Sequence, residues 1–157
     1  MSERASTAAV LGIGNLLQGD DGVGIFAVHE LERDASMRDV DLFDGGTSPF
    51  DMMPVFLEHD LVVIVDAVRA GGVPGSLYRV LPEAIDRVSD GARFAHGLGV
   101  PDTIRLAREL GSTARVIVLG IEPKALGWSL ELSPEVARSV PALMDAVRDE
   151  LGLARVA

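Results

Sequence analysis

The sequence contains no cysteine, and this absence excludes several kinds of site. Disulfide bonds, a catalytic thiolate and zinc sites with cysteine ligands all require that residue. A metal ion bound by this chain would therefore need histidine, aspartate, glutamate or backbone oxygen ligands.

Basic and aromatic residues are also scarce. The chain has 14 Lys and Arg residues against 24 Asp and Glu residues, a formal net charge of −10, and only 4% aromatic residues. Binding of nucleic acid needs a basic surface and aromatic rings on which bases can stack. We therefore expect no nucleic-acid partner.

Long apolar runs are missing as well. No stretch reaches the roughly 18 apolar residues that a membrane-spanning helix requires, and residues 1–7 lack the basic and apolar regions of a signal peptide. We expect a cytoplasmic protein that does not contact a membrane. The length of 157 residues fits one domain over residues 1–157, and we expect residues 1–7 to be flexible.

A glycine-rich loop with two adjacent acids occupies residues 12–24. It departs from two phosphate-binding patterns, because Leu17 stands at the third glycine of a dinucleotide fingerprint and Asp20 at the lysine of a P-loop. Two carboxylates at the start of a helix would repel a phosphate. The loop is therefore better suited to bind a cation or to keep its own acids ionised. The pattern alone leaves open whether Asp20 or Asp21 is only a helix N-cap.

The rest of the chain alternates predicted strands and helices. Apolar or alternating segments predict strands at residues 8–13, 39–43, 61–65, 76–81 and 116–120. Helical patterns cover residues 23–33, 50–58, 101–110 and 134–151. The turn at residues 70–75 is too short for a crossover helix, so the fourth strand is expected to run antiparallel to the third. This order predicts a three-layer α/β/α domain with a mostly parallel sheet.

Two acids and one histidine are expected to meet at one edge of this sheet. Asp21 follows the first strand, Asp66 follows the most apolar strand, and His96 lies among small residues in a loop. In such sheets the ligand crevice lies beyond the carboxyl ends of the strands, where the strand order reverses. A buried acid at position 66 is costly unless it is paired, hydrogen-bonded or bound to a metal. The three side chains form a plausible ligand set for a divalent ion with an open fourth position.

The ordered set of motifs resembles the nickel-iron hydrogenase maturation endopeptidases, peptidases of the M52 type. The motifs are Gly12-Ile-Gly-Asn15, Asp20-Asp21-Gly22-Val-Gly24, Asp44-Gly-Gly-Thr47, Val65-Asp66-Ala67, His96 with Leu98-Gly99, and Gly120-Ile-Glu-Pro123. The resemblance implies a phosphorylase/hydrolase-like fold whose five-stranded sheet has the order 2-1-3-5-4, with strand four antiparallel.

The resemblance also implies an activity. Such a protein is a hydrolase, classed as an aspartic-type or metal-dependent endopeptidase, that removes the C-terminal extension of the nickel-loaded large-subunit precursor of a [NiFe] hydrogenase. Asp21, Asp66 and His96 would be catalytic and would contact the nickel that the substrate carries. Asp20 would then be the structural acid of the adjacent pair, capping or shaping the turn. Many members have Glu at the position of Asp21, so the shorter acid changes the reach of that ligand.

Recognition of the precursor is assigned by the same resemblance to the loop formed by Asp44, Gly45, Gly46 and Thr47. We expect a monomer without an organic cofactor. Two alternatives stay open: a non-catalytic nickel-sensing or chaperone module with the same ligands, and a flavodoxin-like nucleotide-binding module. The second would need a first loop that accepts phosphate, and the two adjacent acids argue against it.

Overall fold

The computed structural model describes residues 7–84, the backbone of residues 93–94, and residues 99–154. The strands are β1 Ala8–Gly12, β2 Asp41–Asp44, β3 Leu61–Arg69, β4 Leu77–Val80, β5 Arg93–Phe94 and β6 Arg115–Ile121. The helices are α1 Val23–Leu31, α2 Met53–Glu58, α3 Gly99–Glu109 and α4 Pro134–Glu150. Within these ranges, no helix has the length and apolar character needed to cross a membrane.

The strands form one sheet of order β2-β1-β3-β6-β4, and β5 pairs with the end of β3. β1 is parallel to β2 and β3, and β3 is parallel to β6, whereas β4 runs antiparallel to β6. Over the five longer strands this is the predicted order 2-1-3-5-4 with an antiparallel fourth strand, so the predicted fold is confirmed. The two-residue β5 was not predicted, because so short a strand shows no periodicity.

Both faces of the sheet are covered. Val10 and Val63 lie on one face and pack with α1 and α4, while Leu11 and Ile64 lie on the other and pack with α2 and α3. Successive side chains of a strand point to opposite faces, so a strand covered on both sides needs a continuous apolar run. The run at the start of β3 fills this requirement, and the three predicted layers follow from it.

Pro54 determines how the second helix forms. A single helix was predicted over residues 50–58, but the structure has a 3-10 helix at Pro49–Met52 followed by α2 at Met53–Glu58. A proline is tolerated in the first turn of an α-helix, where its missing N–H would have no intrahelical partner. The helix therefore begins anew at Met53, and Pro54 stands in its first turn.

The third strand is longer than predicted. Asp66 was expected to follow the end of this strand, but β3 continues to Arg69. β1 accompanies β3 only as far as the pair Gly12 and Val65, while β6 accompanies it to Ala67. Asp66 therefore lies inside β3 yet beyond the end of β1, at the carboxyl edge where the crevice was expected.

Candidate active site

The glycine-rich loop after β1 is held against the edge of the sheet by close backbone contacts. The N–H of Ile13 donates to the carbonyl of Val65 at 2.9 Å. Gly24, in the first turn of α1, packs so closely that a Cβ there would stand 2.2 Å from the same carbonyl oxygen. Glycine is required for this approach. The start of α1 is thereby brought to the edge where Asp66 lies.

Asp20 has a structural role. Its buried carboxylate accepts hydrogen bonds from the N–H groups of Lys124, Ala125 and Ser133 at 2.8, 2.9 and 2.7 Å, and from the Ser133 hydroxyl at 2.8 Å. These bonds fasten the glycine-rich loop to the segment that precedes α4. Asp20 does not cap α1, whose N-cap residue is Gly22.

Asp21 and Asp66 are both buried, with 2% and 0% of their surface exposed. Burial raises the pKa of the Asp66 carboxyl well above its usual range; the hydrogen bond from the Ala67 N–H opposes this shift, and the charge of Asp21 adds to it. Oδ2 of Asp66 has no hydrogen-bond partner among the described residues. Interacting buried acids of this kind are characteristic of functional sites.

His96, the third member of the predicted set, lies outside the described residues. Over the described part of the chain, no group of three or more His, Asp or Glu side chains is arranged to hold a metal ion. The structure thus brings the two predicted acids to one edge of the sheet and does not describe their histidine. Phe94, two residues before His96, pairs with Val68, two residues after Asp66.

The loop of Asp44, Gly45, Gly46 and Thr47 borders the same edge. The N–H of Gly45 donates to the carbonyl of Gly12, and the N–H of Gly14 donates to the carbonyl of Gly46, both at 2.8 Å. The loop is therefore bonded directly to the glycine-rich loop that carries Asp21.

His29 contacts this loop, a role that sequence reasoning missed. Its Nε2 lies 3.3 Å from Oδ2 of Asp44, and both side chains are 44% exposed. His29 lies within the predicted helix over residues 23–33, and only the fold brings the strand that carries Asp44 beside that helix. No local signal marks this contact.

Glu122, in the Gly120-Ile-Glu-Pro123 motif, is buried for a structural reason. Its Oε2 accepts hydrogen bonds from the N–H of Ala70 at 2.8 Å and from the hydroxyl of Tyr78 at 2.9 Å. The motif therefore fixes the turn before β4 to the end of β6. Burial and the bond to Glu122 raise the pKa of the Tyr78 hydroxyl.

Known proteins resemble the chain in both sequence and structure. The family model HycI, hydrogenase maturation protease, matches residues 25–150. The hydrogenase expression/formation protein HupD of Thiocapsa roseopersicina is 34% identical over 139 residues, which are 85% of this chain but only 63% of that protein. The HupD protein of Bradyrhizobium diazoefficiens is 32% identical over 148 residues, 92% of this chain and 77% of that protein.

A solved structure extends the comparison to the fold. The hydrogenase maturating endopeptidase HybD from E. coli superposes with a TM-score of 0.81 at 25% identity, over 93% of this chain and 92% of that one. Sequence and fold thus agree over most of the chain, which belongs to the hydrogenase maturation protease family, a family of endopeptidases.

Proposed function

We propose that this chain removes the C-terminal extension of the nickel-loaded large-subunit precursor of a [NiFe] hydrogenase. Membership of the protease family supports this class of activity over the nickel-sensing and flavodoxin-like alternatives. The proposed site rests on one observation: Asp21 and Asp66 are both buried at the carboxyl edge of the sheet. Burial of a carboxyl group costs free energy, and such groups are concentrated at functional sites.

We propose His96 as the third member of the site because it lies two residues after Phe94, which pairs with β3. Phe94 pairs with Val68 at the end of β3, and two residues extend at most about 7 Å. An imidazole and two carboxylates suit a divalent ion. The nickel would arrive as part of the precursor and is therefore substrate rather than a resident cofactor.

Two routes of hydrolysis are compatible with these residues. One acid accepts the proton of the attacking water as a general base, or the metal ion polarises the scissile carbonyl and activates the water. Both routes gain from burial, because electrostatic interactions are stronger where water is excluded. Asp21 and Asp66 would hold the metal and the scissile peptide side by side in either case.

The loop formed by Asp44, Gly45, Gly46 and Thr47 is proposed to select the precursor. Its hydrogen bonds to the glycine-rich loop mean that a polypeptide bound there would lie beside the buried acids. We further propose that the protein acts in the cytoplasm as a monomer, without an organic cofactor and without contact with a membrane or nucleic acid. The net charge of −10 supports the last point.

The test is incubation of the purified chain with nickel-loaded and metal-free precursor, followed by mass spectrometry of the precursor's C-terminus. We expect removal of the extension from the loaded form alone. Asp66→Asn and His96→Ala are each expected to slow processing by about 100-fold or more, the size of a lost general acid or base. Asp39→Asn, at a side chain that is 91% exposed, is the matched control and should process normally.

Two results would contradict the proposal. If the wild-type chain leaves every loaded precursor of its organism intact, the activity is wrong. If it cuts but Asp66→Asn or His96→Ala cuts equally fast, that residue does not belong to the site.

A further inference from the structure

Four apolar side chains stand exposed beside the candidate site. Leu16 and Leu17 are 40% and 50% exposed, and Trp128 and Leu130 are 82% and 79% exposed. We call these four side chains the apolar rim. Trp128 is the only tryptophan of the sequence. A folded protein gains nothing from holding a tryptophan and three leucines in water, since their burial would stabilise it.

The two segments of the apolar rim are joined by backbone hydrogen bonds. Gln18 and Ser129 form a parallel bridge, in which the N–H of Ser129 donates to the carbonyl of Leu17 at 3.0 Å and the N–H of Gly19 to the carbonyl of Ser129 at 2.8 Å. The Asp20 carboxylate adds its bonds to the segment that begins at Lys124. The apolar rim is thus a preorganised surface, and a partner that binds it has little ordering cost to overcome.

The apolar rim is continuous with the proposed substrate site. Leu17 lies four residues before Asp21 in the same loop, and the bridge to Ser129 places the second segment alongside that loop. Clusters of exposed apolar side chains mark protein-binding surfaces, and tryptophan is one of the side chains enriched among the residues that dominate binding energy. A Cβ at Gly22, the neighbour of Asp21, would stand 2.8 Å from Cα of Leu16, so a polypeptide bound at the buried acids would lie near this surface.

We propose that the apolar rim docks an apolar segment of the precursor polypeptide next to the bond that is cut. This inference rests on the proposed function, because it takes the precursor as the occupant. The net charge of −10 disfavours the two other occupants, a second copy of the chain and an anionic lipid surface, since both would bring like charges together.

Because the sequence has a single tryptophan, its environment can be followed directly. Chain labelled with 5-fluorotryptophan gives one fluorine resonance, from position 128. We expect this resonance to shift and broaden when nickel-loaded precursor is added. Processing kinetics of Trp128→Ser and Leu130→Ser give the second readout, and each should raise KM by about tenfold or more while kcat stays within about twofold.

Leu110→Ser is the matched control for Leu130→Ser. Leu110 is 58% exposed and lies after α3, before the amino end of β6, at the edge of the sheet opposite the site. Its substitution removes an exposed leucine without touching the apolar rim and should leave KM unchanged. A comparable rise in KM for Leu110→Ser would mean that loss of any surface leucine weakens binding, which overturns the proposal.

The outcomes separate the docking surface from the activity. Normal KM values for both rim variants, in a chain that cuts its precursor, would overturn the docking surface and leave the proposed function intact. A fluorine shift without any cleavage would support docking and contradict the proposed function. A resonance that changes with the concentration of the chain alone, together with a dimer in sedimentation, would assign the apolar rim to a second copy and overturn the proposal.

Discussion

Two neighbouring acids of the glycine-rich loop have different roles. The Asp20 carboxylate accepts four hydrogen bonds from N–H and hydroxyl groups, which satisfy its charge within the protein. Asp21 is placed so that its charge raises the pKa of Asp66. A carboxylate surrounded by donors stabilises a fold, whereas two interacting buried acids destabilise it. The donors around Asp20 therefore indicate a structural role, and the interaction of Asp21 with Asp66 supports a functional pair.

Substitution of these acids by asparagine should separate the two roles. Asp20→Asn places an amide group against N–H donors and should lower the free energy of unfolding by about 2–4 kcal/mol, the scale of lost charge-assisted hydrogen bonds. Asp21→Asn removes a like charge from Asp66 and should leave the free energy of unfolding unchanged or higher, while processing is lost. Urea unfolding and the processing assay measure the two effects. Equal stability of Asp20→Asn and the wild type would contradict the structural role.

Close packing of α1 on the sheet depends on its first turn. A Cβ at Gly24 would stand 2.2 Å from the carbonyl oxygen of Val65 and 2.5 Å from that of Ile13. Neither oxygen can withdraw easily, because both belong to the sheet backbone: Val65 lies inside β3, and Ile13 directly follows β1. The position of α1, and with it the position of Asp21, is therefore fixed by the absence of a side chain at residue 24.

Gly24→Ala tests this packing against helix propensity. In an exposed helix, alanine is more stabilising than glycine by about 1 kcal/mol. At position 24 the clash should dominate and lower the free energy of unfolding by about 3 kcal/mol or more. Gly127→Ala is the control, because a Cβ there meets nothing within 4 Å, and it should change stability by less than about 0.5 kcal/mol. Thermal melts of both variants decide the matter, and a neutral Gly24→Ala would show that the contact is not tight in solution.

At the scale of the whole molecule, a buried ion pair joins the last helix to the first half of the chain. Arg148 of α4 donates to Oδ2 of Asp34 at 2.9 and 2.7 Å and to Asp145 at 3.0 Å. Asp34 also accepts a hydrogen bond from the N–H of Ser36 at 2.9 Å. The Ser36 bond and then Arg148 lower the pKa of Asp34. A buried charge that loses its partner is costly, so this link ties the folding of the two halves together.

Acid unfolding should report this link. Because the pKa of Asp34 is lowered by folding, its contribution is present above the ordinary aspartate pKa and is lost as pH falls through the lowered value. Asp34→Asn should therefore be less stable than the wild type near pH 7, and the difference should shrink between about pH 4 and pH 2. Urea unfolding across this range measures it. A constant difference from the wild type would contradict the link, and Asp39→Asn, at an exposed carboxylate, should follow the wild-type curve.

Much of the fold could be predicted from local pattern and from the family resemblance. The apolar run in β3 predicts a strand covered on both faces, and the short turn at residues 70–75 predicts an antiparallel β4; both predictions are confirmed. The end of β3 was predicted wrongly, because pairing with β6 and β5 extends the strand past its apolar run. Strand length depends on neighbours that a local pattern does not include.

The candidate site was also predicted only in part. The positions of Asp21 and Asp66 after two predicted parallel strands indicated that both would reach one edge of the sheet, and the structure places both buried acids there. Their catalytic roles and that of His96 remain predictions. Trp128 was not predicted to face solvent beside the site, because an apolar residue in a loop gives the same signal whether it is buried or exposed.

The order of the main strands and helices along the chain, the two-sided core and the chemistry available to the site follow from residue types at short spacing. Asp20 was expected to be the structural acid of the adjacent pair, but the hydrogen bonds that give it this role are visible only in the folded chain. One partner of Asp20 is Ser133, 113 residues away along the chain, and no local pattern records such a contact. Other long-range bonds, from Ser129 to Leu17 and from Gly19 to Ser129, join the two segments of the apolar rim, so the surface beside the site exists only once the chain is folded.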